Sequence, residues 1–173
     1  MSRNEIDKFI SRSHCPVLAV SKDFSAGKIS KIVIPIDISQ TTKKHLYWAT
    51  FFAKEFNAQI QIVSALNINI DETKSLAFRN AEKIKKMLIE RGIKCEVKIL
   101  KVHSQKKHKI ILDYIGKEKP ELVIIRKHQK SMFSGKKIGD FVSEIIHGCQ
   151  MPVFAVGGTT KELPYNSKKY GSY

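Results

Sequence analysis

The chain has 173 residues, of which 42% are hydrophobic and 27% charged, so it is long enough for one globular domain and too short for two. No apolar run approaches the ~20 residues needed to span a bilayer. The N-terminus lacks the apolar core and cleavage site of a signal peptide, so we expect a cytoplasmic protein without a membrane partner.

The formal net charge of +15 is unevenly distributed. Between Lys94 and Lys137 there are thirteen Lys or Arg and four acidic residues, a local excess of nine. This balance is typical either of affinity for polyanions such as nucleic acid or of a solvated Lys-rich face. The sequence leaves both interpretations open.

The first half of the chain predicts a helix and a strand in residues 1–20, a polar linker in residues 21–30, and a buried strand from Lys31 to Asp37. Ser39 or Thr41 can cap the helix that follows. The inward face of that helix, read from its spacing, is Leu46, Ala49, Phe52, Ala53 and Phe56.

The middle of the chain continues the alternation. We expect a strand from Ala58 to Ala65, a helix from Asp71 to Arg91 ended by Gly92, and a half-exposed edge strand from Lys94 to Lys101. A short helix occupies residues from Lys106 to Lys119. Strands that alternate with helices predict a mainly parallel sheet with right-handed crossovers.

The last quarter contains the predicted site. A buried strand from Leu122 to Ile125 leads into a basic loop, a helix that opens near Gly139, and a final strand from Val153 to Val156. A loop that enters a helix N-terminus is where α/β proteins bind phosphates. Residues 157–173 lack apolar periodicity and are expected to be a disordered tail.

The closing helix and strand are repeated at the N-terminus. Arg3 to Val20 aligns with Gly139 to Val156 at a constant offset of 136 residues, with Pro-Val-x-Ala-Val in both strands. The simplest interpretation is that the chain begins inside the last unit of a lost first domain.

From Lys31 to Val156 the chain resembles the universal stress protein family, through its first strand KIVIPIDIS and a closing Pro-Val strand. The resemblance implies a Rossmann-like (adenine nucleotide alpha hydrolase-like) α/β fold with a five-stranded parallel sheet in the order 3-2-1-4-5 and helices on both faces. Residues 1–20 add a helix and an edge strand, and residues 31–156 form the domain.

The family's ATP motif is Gly, two residues, Gly, nine residues, Gly, then Ser or Thr. Its positions fall on Arg126, Gln129, Gly139 and Asp140, so only the third is kept. A Gln at the second position is also similar to the family members that bind ATP poorly. The resemblance implies that Asp37 reaches ribose and adenine, with Ala65 beside it, and that phosphates lie toward Lys136, Lys137 and Gly139.

The expected function follows from this degenerate motif. We expect a non-catalytic stress-response domain that acts through protein interaction and binds ATP or AMP weakly or not at all. The alternatives are a basic nucleic-acid-binding module and a nucleotide-binding member that uses Lys and Arg in place of the glycines.

Catalytic and metal sites are not expected. The six histidines have no ligand spacing, and His128 alone falls in the crevice loop. The three cysteines fit no disulfide framework and no metal motif, so we expect small buried hydrophobes of a reduced compartment; they are Cys15, Cys95 and Cys149.

The repeat predicts how the chain assembles. Members of the family commonly dimerise through their final strands, which implies a homodimer or pseudo-dimer through residues 16–20 and 153–156. We expect Pro16 to Val20 to pair antiparallel with Val153 to Val156, within one chain or by exchange between two. Ile6, Phe9 and Ile10 would cover the apolar surface nearby.

Overall fold

Helices and strands alternate along the chain. The computed structural model of the protein describes residues 2–22, 24, 27–36, 43–67, 69, 71, 75–103, 105–127 and 138–157. The elements in chain order are α1 (Arg3–Arg12), β1 (Val17–Ala19), β2 (Lys31–Pro35), α2 (Lys43–Phe56), β3 (Gln59–Asn67), α3 (Leu76–Ile89), β4 (Cys95–Val102), α4 (Lys107–Glu118), β5 (Leu122–Arg126), α5 (Asp140–Gly148) and β6 (Val153–Val156).

The described strands form one six-stranded sheet in the order β1-β6-β5-β2-β3-β4. Every neighbouring pair is parallel except β1 with β6. The predicted order is confirmed, because the five strands β2 to β6 follow 3-2-1-4-5 and the extra N-terminal strand lies outside β6. The winding reverses between β2 and β5, which places a crevice at their carboxyl ends.

Helices cover both faces of the sheet, as predicted. In β2, Ile32 and Ile34 pack in the cluster that contains α2 and α3, whereas Val33 packs in the cluster that contains α1, α4 and α5. Side chains alternate between the two faces of a strand, so a strand buried on both faces reads as a continuous apolar run. This is why KIVIP carries no polar alternation.

Local capping explains where α3 begins and ends. The Ser75 hydroxyl accepts a hydrogen bond from the Phe78 backbone N–H at 3.1 Å, so the helix begins at Leu76 and not at the predicted Asp71. After the helix, the Gly92 N–H donates to the Ile89 carbonyl at 2.8 Å, with φ at +74°. Glycine adopts this left-handed conformation without strain, so the predicted stop is confirmed.

The inward face of α2 is partly different from the prediction. Leu46, Ala49 and Ala53 are buried, but Phe56 is 40% exposed. The Phe56 ring lies flat against Phe52, with centroids 6.1 Å apart and planes 8° apart. Phe56 is the last residue of the helix.

The predicted edge strand is confirmed, since β4 pairs with β3 alone among the described strands. β3 is longer than predicted because its ladder with β4 continues to Asn67. The exposed side chains of β4 are charged, namely Glu96, Lys98 and Lys101. Charges on an edge oppose pairing with other strands.

The N-terminal repeat folds as the sequence suggested. β1 pairs antiparallel with β6, with Leu18 opposite Phe154, so the expected pairing forms within one chain over Val17–Ala19. Ile10 is buried and Ile6 packs against the same cluster. The prediction for Phe9 was wrong, because this residue falls outside the inward stripe of α1 and is 58% exposed.

Candidate functional site

The crevice at the reversal point is bordered by the ends of β2, β3 and β5. β3 runs beyond the partner of Pro35, so Ala65 extends past the end of β2 and is 2% exposed. The Ile36 N–H donates to the Val63 carbonyl at 2.9 Å, and the Ser64 hydroxyl donates to the Ile36 carbonyl at 3.1 Å. Both backbone polar groups of Ile36 are therefore hydrogen-bonded to β3, which fixes the first residue after β2.

The start of α5 lies at the same edge of the sheet. Gly139 is the N-cap residue and makes no side-chain cap, and Asp140 is the first helical residue. Asp140 is therefore one position past the N-cap. Its carboxylate lies in the first turn, where the helix dipole favours negative charge.

Buried side chains anchor both ends of the segment that joins β5 to α5. Arg126 ends β5 opposite Val156 and is partly buried. Ile138, just before Gly139, is 5% exposed and packs in the cluster beneath α5. Thus Arg126 lies at the end of β5, Gly139 and Asp140 lie at the start of α5, and Ala65 lies in β3 beyond the end of β2. Their part in binding stays a prediction.

The other predicted positions lie outside the described residues. These are Asp37, Gln129, Lys136 and Lys137, together with the caps Ser39 and Thr41 and the crevice residue His128.

Lys127 has a structural role that sequence reasoning did not predict. It follows β5 directly and is 7% exposed. Its ammonium donates to the backbone carbonyls of Ile10 at 2.8 Å, of Cys15 at 3.5 Å, and of Ser13. Burial lowers the pKa of Lys127. A cation at this point complements the negative end of the α1 dipole. Lys127 therefore connects the C-terminal end of α1 to the end of β5.

Gly157 makes room for the Lys127 side chain. A Cβ atom at position 157 would lie 2.6 Å from Cε of Lys127. Gly157 is buried, so the predicted tail begins with an ordered residue, and the remainder of that tail lies outside the described residues.

A polar cluster joins α1 to α5. The Asp7 carboxylate accepts a hydrogen bond from the Ser143 hydroxyl at 2.7 Å and lies 2.8 Å from Nε2 of His147. Arg3 and Glu144 form an ion pair at 2.8 Å, which holds the pKa of Glu144 below its usual value. The repeat offset could have predicted the first contact, since positions 7 and 143 are 136 residues apart.

The cysteines only partly match the expectation. Cys95 is buried, and burial raises the pKa of its thiol to about 12, while Cys149 is partly buried with its pKa raised for the same reason. Cys15 is exposed, which corrects the prediction of three buried cysteines. It follows α1, where the chain turns along the surface into β1.

Within the described residues, no group of three or more His, Cys, Asp or Glu side chains could hold a metal ion. None of the helices in the described part of the chain is both long and apolar enough to cross a membrane.

The doubly wound sheet and its crevice define a Rossmann-like α/β protein. The chain belongs to the universal stress protein family, whose sequence model matches residues 28–157. Comparison with curated proteins gave no significant match.

Solved structures share this fold. A universal stress protein from Archaeoglobus fulgidus DSM 4304 is 18% identical with a TM-score of 0.66, over 87% of this chain and 52% of that chain. A universal stress protein in complex with cAMP is 14% identical with a TM-score of 0.60, over 76% and 98% of the two chains. A universal stress protein structure from Archaeoglobus fulgidus in complex with dAMP is 17% identical with a TM-score of 0.58, over 75% of this chain and 98% of that chain.

Proposed function

We propose that the protein is a non-catalytic stress-response regulator that acts through protein interaction and binds ATP weakly or not at all. The observation that carries the proposal is the position of Asp140 in the first turn of α5. A helix N-terminus binds a phosphate through its unpaired N–H groups and its dipole. A carboxylate at the same place repels that phosphate and already satisfies the dipole.

The contacts of Lys127 support the same conclusion. This cation directly follows β5, but its ammonium lies against the carbonyls that end α1. An ammonium held in this way is not directed at a ligand in the crevice. Arg126, at the first motif position, has a large side chain where a glycine would let a ribose or phosphate approach the backbone.

Related structures define the ligand class to test. Universal stress proteins of the same fold have been solved with cAMP and with dAMP. An adenine nucleotide is therefore the appropriate probe for this chain, with AMP and ATP as the two extremes of phosphate number.

Titration calorimetry with ATP and AMP tests the proposal. We expect ATP binding to the natural chain to be weak or below detection. We expect the triple variant Arg126→Gly, Gln129→Gly, Asp140→Ser to gain on the order of a hundredfold or more in ATP affinity, because two charge-assisted hydrogen bonds contribute about 1.5 to 3 kcal/mol each. The nucleotide content of freshly purified protein provides an independent measurement.

Asp113→Ser is the matched control, since Asp113 is an exposed carboxylate on α4 away from the crevice. This variant should bind ATP no better than the natural chain. Micromolar ATP binding by the natural chain would contradict the proposal and favour a nucleotide-binding member that uses Lys and Arg. In that case Asp37→Ala should weaken the binding.

A second candidate, binding of polyanions, is favoured by the exposed lysines of β4 and α4. Lys98 lies on the sheet face that α4 covers. The pKa of Glu118 on α4 is lowered mainly by a hydrogen bond from Lys31, and the nearby charge of Lys98 makes a smaller contribution in the same direction. The exposed lysines of this basic face are Lys98, Lys106, Lys107, Lys109 and Lys117. Phosphate neutralisation by such a face is independent of nucleotide sequence.

A further inference from the structure

Two contacts in the structure join equivalent positions of the internal repeat. Leu18 is opposite Phe154 in the β1–β6 ladder, and Asp7 accepts a hydrogen bond from Ser143. Each pair is separated by 136 residues, the offset of the repeat. On either side of Leu18 the partners are exchanged, with Val17 opposite Ala155 and Ala19 opposite Val153. The units α1–β1 and α5–β6 are therefore related by a local twofold axis.

Comparison across this axis identifies contacts that α5–β6 makes and α1–β1 does not make. On its far side, β6 pairs in parallel with β5, and Ile145 and Val156 are 0% exposed. The equivalent residues of the N-terminal unit are Phe9 and Val20, which are 58% and 48% exposed. Among the described strands, β1 pairs with β6 alone, so no described strand covers its outer edge.

The two edge strands of the sheet differ in the charge of their exposed side chains. β4 carries the exposed charges Glu96, Lys98 and Lys101. β1 has no charged residue, and Leu18 at its centre is 54% exposed. An uncharged edge beside exposed apolar side chains is typical of a surface that another chain covers.

We propose that the outer edge of β1, together with Phe9, Leu18 and Val20, is a docking surface for a parallel apolar β-strand from another α/β polypeptide. A helix of that partner would lie over Phe9, as α4 packs beside α5. The β5–β6 register places Ile124 opposite Phe154, so the partner residue equivalent to Ile124 lies opposite Leu18. Main-chain hydrogen bonds provide affinity in such strand addition, and side-chain pockets provide selectivity.

A second copy of the chain matches this surface less well. Its own β5 lies inside the sheet between β2 and β6 and cannot be offered. Its β4 edge carries lysines, and its β1 edge would pair antiparallel about a twofold axis and leave Phe9 without a helix. The surface is separate from the crevice between β2 and β5, so it does not depend on nucleotide binding.

The probe for this surface is a peptide with the sequence of residues 119–127, KPELVIIRK, added to the full-length folded protein. We expect saturating peptide to slow hydrogen exchange of the backbone amides at residues 17–20 by about tenfold, equivalent to about 1.4 kcal/mol of protection. The same peptide with Ile124→Lys should give no protection.

Two protein variants locate the effect. Leu18→Lys, checked for folding by circular dichroism, should abolish the protection, while Leu76→Lys should retain it because Leu76 is equally exposed (52%) but lies on α3. Failure of the native peptide to protect residues 17–20 would overturn the proposal. It would also be overturned if the chain alone sediments as a dimer that Leu18→Lys makes monomeric, because a second copy would then be the occupant.

Discussion

At the scale of single residues, Lys127 joins the N-terminal unit to the end of β5. Its ammonium is buried, and the carbonyls of Ile10 and Ser13 at the end of α1, with that of Cys15 just beyond it, accept its hydrogen bonds. Desolvation opposes this placement, which is why the pKa of Lys127 is lowered. The hydrogen bonds and the helix dipole offset that cost in part.

Lys127→Met keeps the length of the side chain but removes its donors. We expect the free energy of unfolding to fall by about 2 kcal/mol, because hydrogen bonds from a charged group contribute about 1.5 to 3 kcal/mol and part of this is recovered when the charge is no longer buried. Urea denaturation measures the change. Lys117→Met, at an exposed position of α4, is the control and should have an effect within about 0.5 kcal/mol. Equal stability of the two variants would show that the carbonyls are equally well satisfied without Lys127.

At the scale of elements, β1 pairs with the outer edge of β6, and α1 packs beside it. The polar contacts of Asp7 hold α1 against α5. Without these elements β6 becomes an open apolar edge, and the cluster that contains Ile10 loses its covering helix.

Deletion of residues 1–20 should therefore change the solution mass or cause aggregation, as light scattering after size exclusion would detect. A peptide of residues 2–20 added in trans should restore the mass of the intact protein, because the pairing needs no covalent link. A truncated protein of unchanged mass and solubility would contradict the covering role and leave the proposed homodimer or pseudo-dimer without support.

At the scale of the whole molecule, the net charge of +15 predicts how the protein responds to polyanions. We expect any binding to DNA to be independent of sequence and to fall steeply with salt, since each phosphate neutralised contributes about 0.9 to the slope of log affinity against log salt. The triple variant Lys98→Glu, Lys106→Glu, Lys109→Glu should lower both affinity and slope in a filter-binding titration. Lys83→Glu with Lys86→Glu, exposed on α3 over the opposite face, should change them much less. Binding that discriminates between sequences would contradict a purely electrostatic mode.

Much of this molecular organisation could be predicted from periodicity. Runs such as KIVIP and LVIIR predicted strands buried on both faces, and the 136-residue repeat predicted the β1–β6 pair, because these properties depend on local alternation and side-chain polarity. Glycine at position 92 predicted a helix end for the same local reason. The family resemblance added the strand order.

Only the tertiary structure decided which charged residues are buried and which apolar residues are exposed. Lys127 is one of many lysines in the sequence, and its contacts lie more than a hundred residues away along the chain. Phe9 and Phe56 fit helical patterns, yet both rings remain in part exposed because burial depends on which neighbouring element reaches them. Periodicity describes one element at a time, whereas a buried ammonium or an uncovered strand edge is a property of several elements together.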